Sequence, residues 1–175
     1  MIKIYAVIIA GLLIYYLAKW LLPGVGQSVV TALPGRLKDA KIWGKEKAVR
    51  TDSPVAMHGV LDEGFKLDDG TIVLSDSKSR QRRTVYRSDI FQVSAYKMIV
   101  ERSTRETVSD RGYIRVLTPD GNEYVPINLL GEDQIIAAYH RYGELKSGMS
   151  TGNRCESRAL CRTCPYKRPC DEMGY

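Results

Sequence analysis

Two aspartates, a lysine and four cysteines are the residues of this chain whose types and spacing could do chemistry. Asp76 and Lys78 stand two apart, so on an extended strand they share one face with Ile72 and Leu74. Asp62 precedes an Asp68-Asp69-Gly70 turn, and an antiparallel return through that turn brings it beside Asp76. Neighbouring carboxylates repel unless a cation joins them, and hard cations such as Mg²⁺ or Mn²⁺ take oxygen ligands of this kind. Lys78 would point at the same place, able to orient an attacking water and to counter charge building on a phosphate. Asp-x-Lys alone is a short pattern that an ordinary surface pair also satisfies, so its setting has to carry the weight. His58, four residues before Asp62, would face the same side of an uninterrupted strand. It is either a further metal ligand or a plain structural histidine.

The elements that must position these groups can be read from pattern. Strands are expected over about 40–49 and 55–67, then, after the Asp-Asp-Gly turn, over 71–78. A basic stretch, Arg80-Gln81-Arg82-Arg83, follows. Ser88 can cap a helix running to about Arg102, with Asp89 favourable at its positive end. Phe91, Ala95, Met98 and Ile99 give that helix an apolar stripe, while Gln92 and Tyr96, four apart, share another line along it. Two further strands, 112–117 and 123–127, are joined by Thr118-Pro119-Asp120-Gly121, and a last helix spans about 130–146. Strands, helix, hairpin and helix in this order make a mixed α/β domain.

In this order and spacing, Gly59-Val60-Leu61-Asp62, Asp76-Ser77-Lys78 and Gln92-x-x-x-Tyr96 resemble the three core motifs of RecB-type nucleases in the PD-(D/E)XK superfamily. The resemblance covers roughly residues 40–127 and implies a restriction-endonuclease-like mixed sheet flanked by helices. It also implies Asp62 and Asp76 as metal ligands, Lys78 as the residue assisting the nucleophile, and Gln92 and Tyr96 lining the active site and the DNA path. Within that family the chain is similar to the CRISPR-associated iron–sulfur exonucleases. Arg80, Arg82, Arg83 and Arg87 lie between Lys78 and Gln92, where arginines would hold a nucleic-acid backbone without reading sequence, and Tyr86 and Tyr96 could stack on bases. A solvated loop is the plainer reading of the same charges.

All four cysteines crowd the C-terminus as Cys155-x5-Cys161-x2-Cys164-x5-Cys170. Four thiolates can surround one Zn²⁺ or one iron–sulfur cluster. The Cys161-x2-Cys164-x5-Cys170 run is similar to the C-terminal triplet of iron–sulfur RecB-type nucleases, which implies a [4Fe-4S] cluster. Those proteins usually draw the fourth ligand from far upstream, whereas here Cys155 is the only candidate, and zinc stays open. Two disulfides in an exported protein is the third reading.

At 175 residues the chain suits one compact domain with appendages, and its net charge of +6 favours a polyanionic partner, nucleic acid or anionic lipid. Residues 4–22 are apolar except for Lys19 and are about long enough to cross a bilayer, with Tyr15, Tyr16 and Trp20 suited to an interface. A signal peptide competes, although no small-residue cleavage site follows. Arg36, Lys38, Lys41, Lys45, Lys47 and Arg50 follow this run, against Lys3 before it, which places the domain on the cytoplasmic side, where thiols stay reduced. The expected organisation is an anchor at 1–22, a linker at 23–39, a nuclease core at 40–147 and a metal-binding tail at 148–175. The expectation is a membrane-anchored, metal-dependent nuclease acting on DNA, single-stranded or end-directed. The alternative is a non-catalytic nucleic-acid-binding module that keeps the fold.

Overall fold

The computed structural model describes residues 33–152, 161, 162, 164 and 167–172. The expected transmembrane run, the first part of the linker and Cys155 lie outside the described residues. Among the described residues no helix is long and apolar enough to cross a membrane.

A short 3₁₀ turn at Gly35–Leu37 leads into β1 (Lys41–Thr51), β2 (Met57–Lys66) and β3 (Ile72–Ser79). Helix α1 (Arg87–Thr104) then crosses to β4 (Arg111–Thr118), which hairpins into β5 (Gly121–Asn128) before α2 (Glu132–Lys146). A short helix α3 (Lys167–Glu172) lies in the cysteine tail. The five strands form one sheet in the order β1-β2-β3-β4-β5, with β3 and β4 parallel and the other pairs antiparallel. The mixed pattern follows from the connections: tight turns make antiparallel neighbours, while α1 carries the chain back so that β4 runs alongside β3. Gly70, at φ 83°, closes the β2–β3 turn by donating its N–H to Leu67 O at 3.0 Å.

One sheet face carries Val49, Leu61, Ile72, Leu74, Ile114 and Val116, packed beneath Val93, Tyr96, Ile99 and Val100 of α1. Ala95 and Met98, on another side of the same helix, meet Ile135 of α2. The opposite face is covered locally by Leu37, which packs on Phe65 and Val73. The α/β expectation with helices flanking a mixed sheet therefore holds, and the strand and helix bounds move by only a few residues. One detail differs: Tyr86, not Ser88, is the N-cap of α1. The carboxylate of Asp89 accepts the Tyr86 N–H at 2.7 Å, so the helix is stopped from inside by its third residue.

Candidate active site

The β2–β3 ladder runs from Lys66↔Ile72 to Glu63↔Ser75, and the next step of that register sets Asp62 opposite Asp76. There the strands part. The Ser77 N–H donates to Asp62 Oδ2 at 2.8 Å, so a side-chain carboxylate accepts an N–H of β3 just past the last paired residues. Alternation along β2 also breaks at this point. Gly59 faces α1, because a Cβ there would lie 2.7 Å from Tyr96 Cε1, and Leu61 is in the helix-side core. Yet a Cβ on Gly64 would meet Leu61 at 3.4 Å and Leu74 at 3.7 Å, so Leu61 and Gly64 share that side despite their odd spacing. Opposite, Glu46 of β1 has φ 46° between the pairs Lys45↔Glu63 and Lys47↔Leu61. Irregular strands of this kind often re-aim a side chain beside a site.

Asp76 lies at the centre of the site, 1% exposed. Its Oδ1 accepts a hydrogen bond from Gln92 Nε2 at 3.1 Å, and Lys78 Nζ stands 2.7 Å from its Oδ2. Lys78 Nζ also donates to Gln92 Oε1 at 2.9 Å, and Gln92 Nε2 reaches Tyr96 Oη at 3.3 Å. The Gln92 amide thus grips acid and amine at once, donating to one and accepting from the other. The ammonium lies against the buried Oδ2 as a close ion pair, and among the described residues Oδ2 has no other polar partner. Burial pushes the Asp76 carboxyl above its ordinary pKa, with Asp62 and Asp89 pushing the same way and Lys78 opposing.

The structure brings Asp62, Asp76, Lys78, Gln92 and Tyr96 together. Tyr96 is only 9% exposed, its ring against Gly59, so it braces Gln92 rather than offering a stacking face to a base. His58 is a correction. It is exposed and neighbours the inward-facing Gly59, so strand alternation turns it to the other side of β2. The irregularity at Asp62 is the reason, since four-residue spacing preserves a face only along an unbroken strand. The arginines also divide. Arg80 turns inward, with Nη2 on Asp89 Oδ1 at 2.7 Å, Nη1 on Thr84 O, and its guanidinium 4.5 Å from the Tyr86 ring. Arg83 pairs with Glu123 at 3.0 Å while remaining largely exposed, and Arg82 and Arg87 are exposed.

An open cleft of about 500 Å³ lies at the carboxyl ends of β3 and β4, lined by Ser79, Arg80, Gln81, Leu117, Thr118 and Pro119. Ends of parallel strands are where open α/β sheets place ligands. In the tail, Cys161, Cys164 and Cys170 are half-buried. Among the described residues no three His, Cys, Asp or Glu side chains are gathered closely enough to hold a metal ion by themselves. Sequence reasoning missed the Arg80–Asp89 pair, because no local signal ties a strand end to a helix start.

No protein-family model matches this sequence, and no curated protein matches it. Among solved structures, the crystal structure of SSO0001 is similar over 95% of this chain and 71% of its own, at 15% identity and a TM-score of 0.45. A candidate exonuclease from Eubacterium rectale is similar over 69% of this chain, at 17% identity and a TM-score of 0.40. This chain spans about half of that protein's length, the matched share being 52%.

Proposed function

We propose that this chain is a metal-dependent nuclease of the PD-(D/E)XK kind, hydrolysing DNA phosphodiester bonds in single strands or at ends. The observation that supports it is the convergence of Asp62, Asp76, Lys78 and Gln92 where β2 and β3 part. A divalent cation fits the donor set: Asp76 Oδ2 is a buried carboxylate oxygen with only the Lys78 ammonium against it among the described residues, and Asp62 is the facing carboxylate. Asp62 and Asp76 would hold Mg²⁺ or Mn²⁺, which when bound supplies Lewis-acid polarisation of the phosphate.

The chain's own residues do the rest. Lys78 brings a fixed positive charge to the point where negative charge builds, and its Nζ protons can orient a water for attack. Gln92 keeps Lys78 and Asp76 in one mutual geometry, and Tyr96 keeps Gln92 from swinging. Arg82 and Arg87, exposed just before α1, suit phosphate contacts, and Tyr86, 55% exposed, offers a ring to a base. The apolar run at residues 4–22 would hold this domain at the cytoplasmic face of a membrane. Cys155, Cys161, Cys164 and Cys170 would hold a [4Fe-4S] cluster, or Zn²⁺ in its place; visible absorbance together with metal analysis distinguishes the two.

The test is cleavage of an end-labelled single-stranded oligonucleotide by the full-length chain with Mn²⁺. We expect cleavage that falls at least about 100-fold in Asp76→Ala and in Lys78→Ala. Binding without cleavage by the unmodified chain removes the enzyme reading and leaves a non-catalytic DNA-binding module.

A further inference from the structure

The geometry points to Arg80 and Asp89 as the positioning pair of this site: together they fix the helix that carries Gln92 against the strand that carries Lys78. The inference rests on the nuclease reading above and extends it to two residues outside the catalytic group.

The argument is one of spacing. Lys78 and Arg80 are two apart at the end of β3, while Asp89 and Gln92 are three apart in the first turns of α1. Two cross-links therefore run side by side between strand and helix: Lys78 to Gln92 at 2.9 Å, and Arg80 to Asp89 at 2.7 Å. The first has a polar amide at one end and an ammonium shared with Asp76 at the other. The second joins two full charges, 16% and 4% exposed, where the ion pair is little screened.

The second cross-link is also tied on every side. The Arg80 N–H donates to Leu117 O at 2.9 Å, which fixes its backbone to β4. Its guanidinium reaches Thr84 O as well as Asp89 and lies over the Tyr86 ring. Asp89 uses its other oxygen for the Tyr86 N–H at 2.7 Å. The segment between Arg80 and Tyr86 is thereby closed into a loop whose two ends are bound to each other and to the start of α1. A guanidinium committed to these partners is not free for a phosphate. Arg80 lines the cleft at the strand ends, yet its charge is already matched there. Arg82 and Arg87, exposed on and beside the same loop, are the cations left for substrate.

A positioning role has a signature that a substrate contact lacks. Displacing α1 by a fraction of an ångström spoils the Lys78–Gln92–Asp76 geometry and slows the chemical step, while leaving the exposed arginines to bind DNA as before. The experiment uses the full-length chain on a single-stranded oligonucleotide with Mn²⁺, with kcat and KM separated and a thermal melt for each variant. Arg80→Ala is expected to lower kcat by about 30- to 100-fold with KM within about twofold. Arg80→Lys, which can reach Asp89 but not Thr84 O and the Tyr86 ring as well, is expected to recover kcat to within about tenfold of the parent. The double variant Arg80→Leu with Asp89→Leu leaves neither charge buried alone, so it should melt closer to the parent than Asp89→Leu by itself while staying as slow as Arg80→Ala. Arg82→Ala should do the reverse of Arg80→Ala, raising KM and sparing kcat.

Three results would overturn the inference. One is a rise in KM at constant kcat for Arg80→Ala, which makes Arg80 a substrate ligand. Another is a loss of kcat that only tracks the fraction folded. The third is full kcat in the double variant. An unmodified chain that cleaves nothing removes the nuclease reading and this inference together. Normal cleavage by the parent with any of the three results removes this inference alone.

Discussion

Asp76 on β3 and Asp89 in the first turn of α1 are both nearly sealed from water, at 1% and 4% exposure, and their pKa values move in opposite directions. Burial pushes both upward. At Asp89 the Arg80 hydrogen bond, the Tyr86 N–H and the charges of Arg80 and Lys78 more than reverse it, and the carboxyl sits below its ordinary value. At Asp76 the Lys78 ammonium opposes burial without overcoming it, and Asp62 adds repulsion. The difference lies in how completely each carboxylate is matched. Asp89 has a guanidinium on one oxygen and a backbone N–H on the other; Asp76 has a neutral amide on Oδ1 and only the Lys78 ammonium, shared with Gln92, against Oδ2. A buried acid whose compensation is finished belongs to the scaffold. One whose compensation is unfinished has room for a further cation.

The sharpest way to break this contrast is to remove the matched acid. Asp89→Ala leaves Arg80 buried beside an empty partner site, and we expect a loss of about 3–5 kcal/mol in urea unfolding. The pH dependence carries the same message. Asp89 has a depressed folded pKa, so its stabilisation is present above the ordinary carboxylate range and is lost as pH falls through the depressed value. Asp89→Asn should flatten that acid-side loss. If Asp89→Ala unfolds like the parent, Asp89 is not part of the scaffold.

Gly59→Ala reaches the unmatched side through packing. A methyl there would come within 2.7 Å of the Tyr96 ring, which must move and take its hydroxyl away from Gln92. Overpacking of this kind costs about 1–3 kcal/mol. The expected result is a modest fall in thermal midpoint with a larger fall in cleavage rate. Equal falls would place Tyr96 in the scaffold with Asp89.

The sign should reverse at Asp76 itself. With its folded pKa raised, Asp76 holds a proton more tightly in the folded than in the unfolded chain. Its contribution to stability is therefore greatest below the ordinary carboxylate range and declines as pH rises to the raised value. Asp76→Asn, which keeps the shape and removes the charge, should melt higher than the parent near neutral pH while abolishing cleavage. Melts of Asp76→Asn and Asp89→Asn across acid to neutral pH should differ from the parent in opposite senses. Destabilisation by Asp76→Asn at neutral pH would mean that the Lys78 pair completes Asp76 after all.

Much of this was legible from local pattern. Period-two spacing put Ile72, Leu74, Asp76 and Lys78 on one face, the Asp-Asp-Gly turn set a register in which Asp62 follows Glu63 to meet Asp76, and one-turn spacing aligned Gln92 with Tyr96. What was not legible depends on contacts between elements. Ser88 is a good cap by type, yet Asp89 stops the helix because Arg80 already holds its carboxylate in place. Four arginines near a site look alike in sequence, and only the fold separates the inward Arg80 from Arg82 and Arg87. Tyr96 is a stacking residue by type and a buried brace by position.

His58 supplies the smallest expected effect and tests the least visible feature, the break in β2. Spacing alone puts it on the side of Asp62. The structure turns it away, because Gly59 and Leu61 face α1 and the strand then accommodates one residue out of phase before Gly64. His58→Ala should therefore leave the Mn²⁺ requirement for cleavage unchanged within about twofold and stability within about 0.5 kcal/mol. A Mn²⁺ requirement raised tenfold or more would mean that β2 runs unbroken with His58 beside Asp62. The carboxylate that takes the Ser77 N–H could then not occupy the position assigned to it, and the contrast between an unfinished acid on β3 and a finished one on α1 would need a different geometric origin.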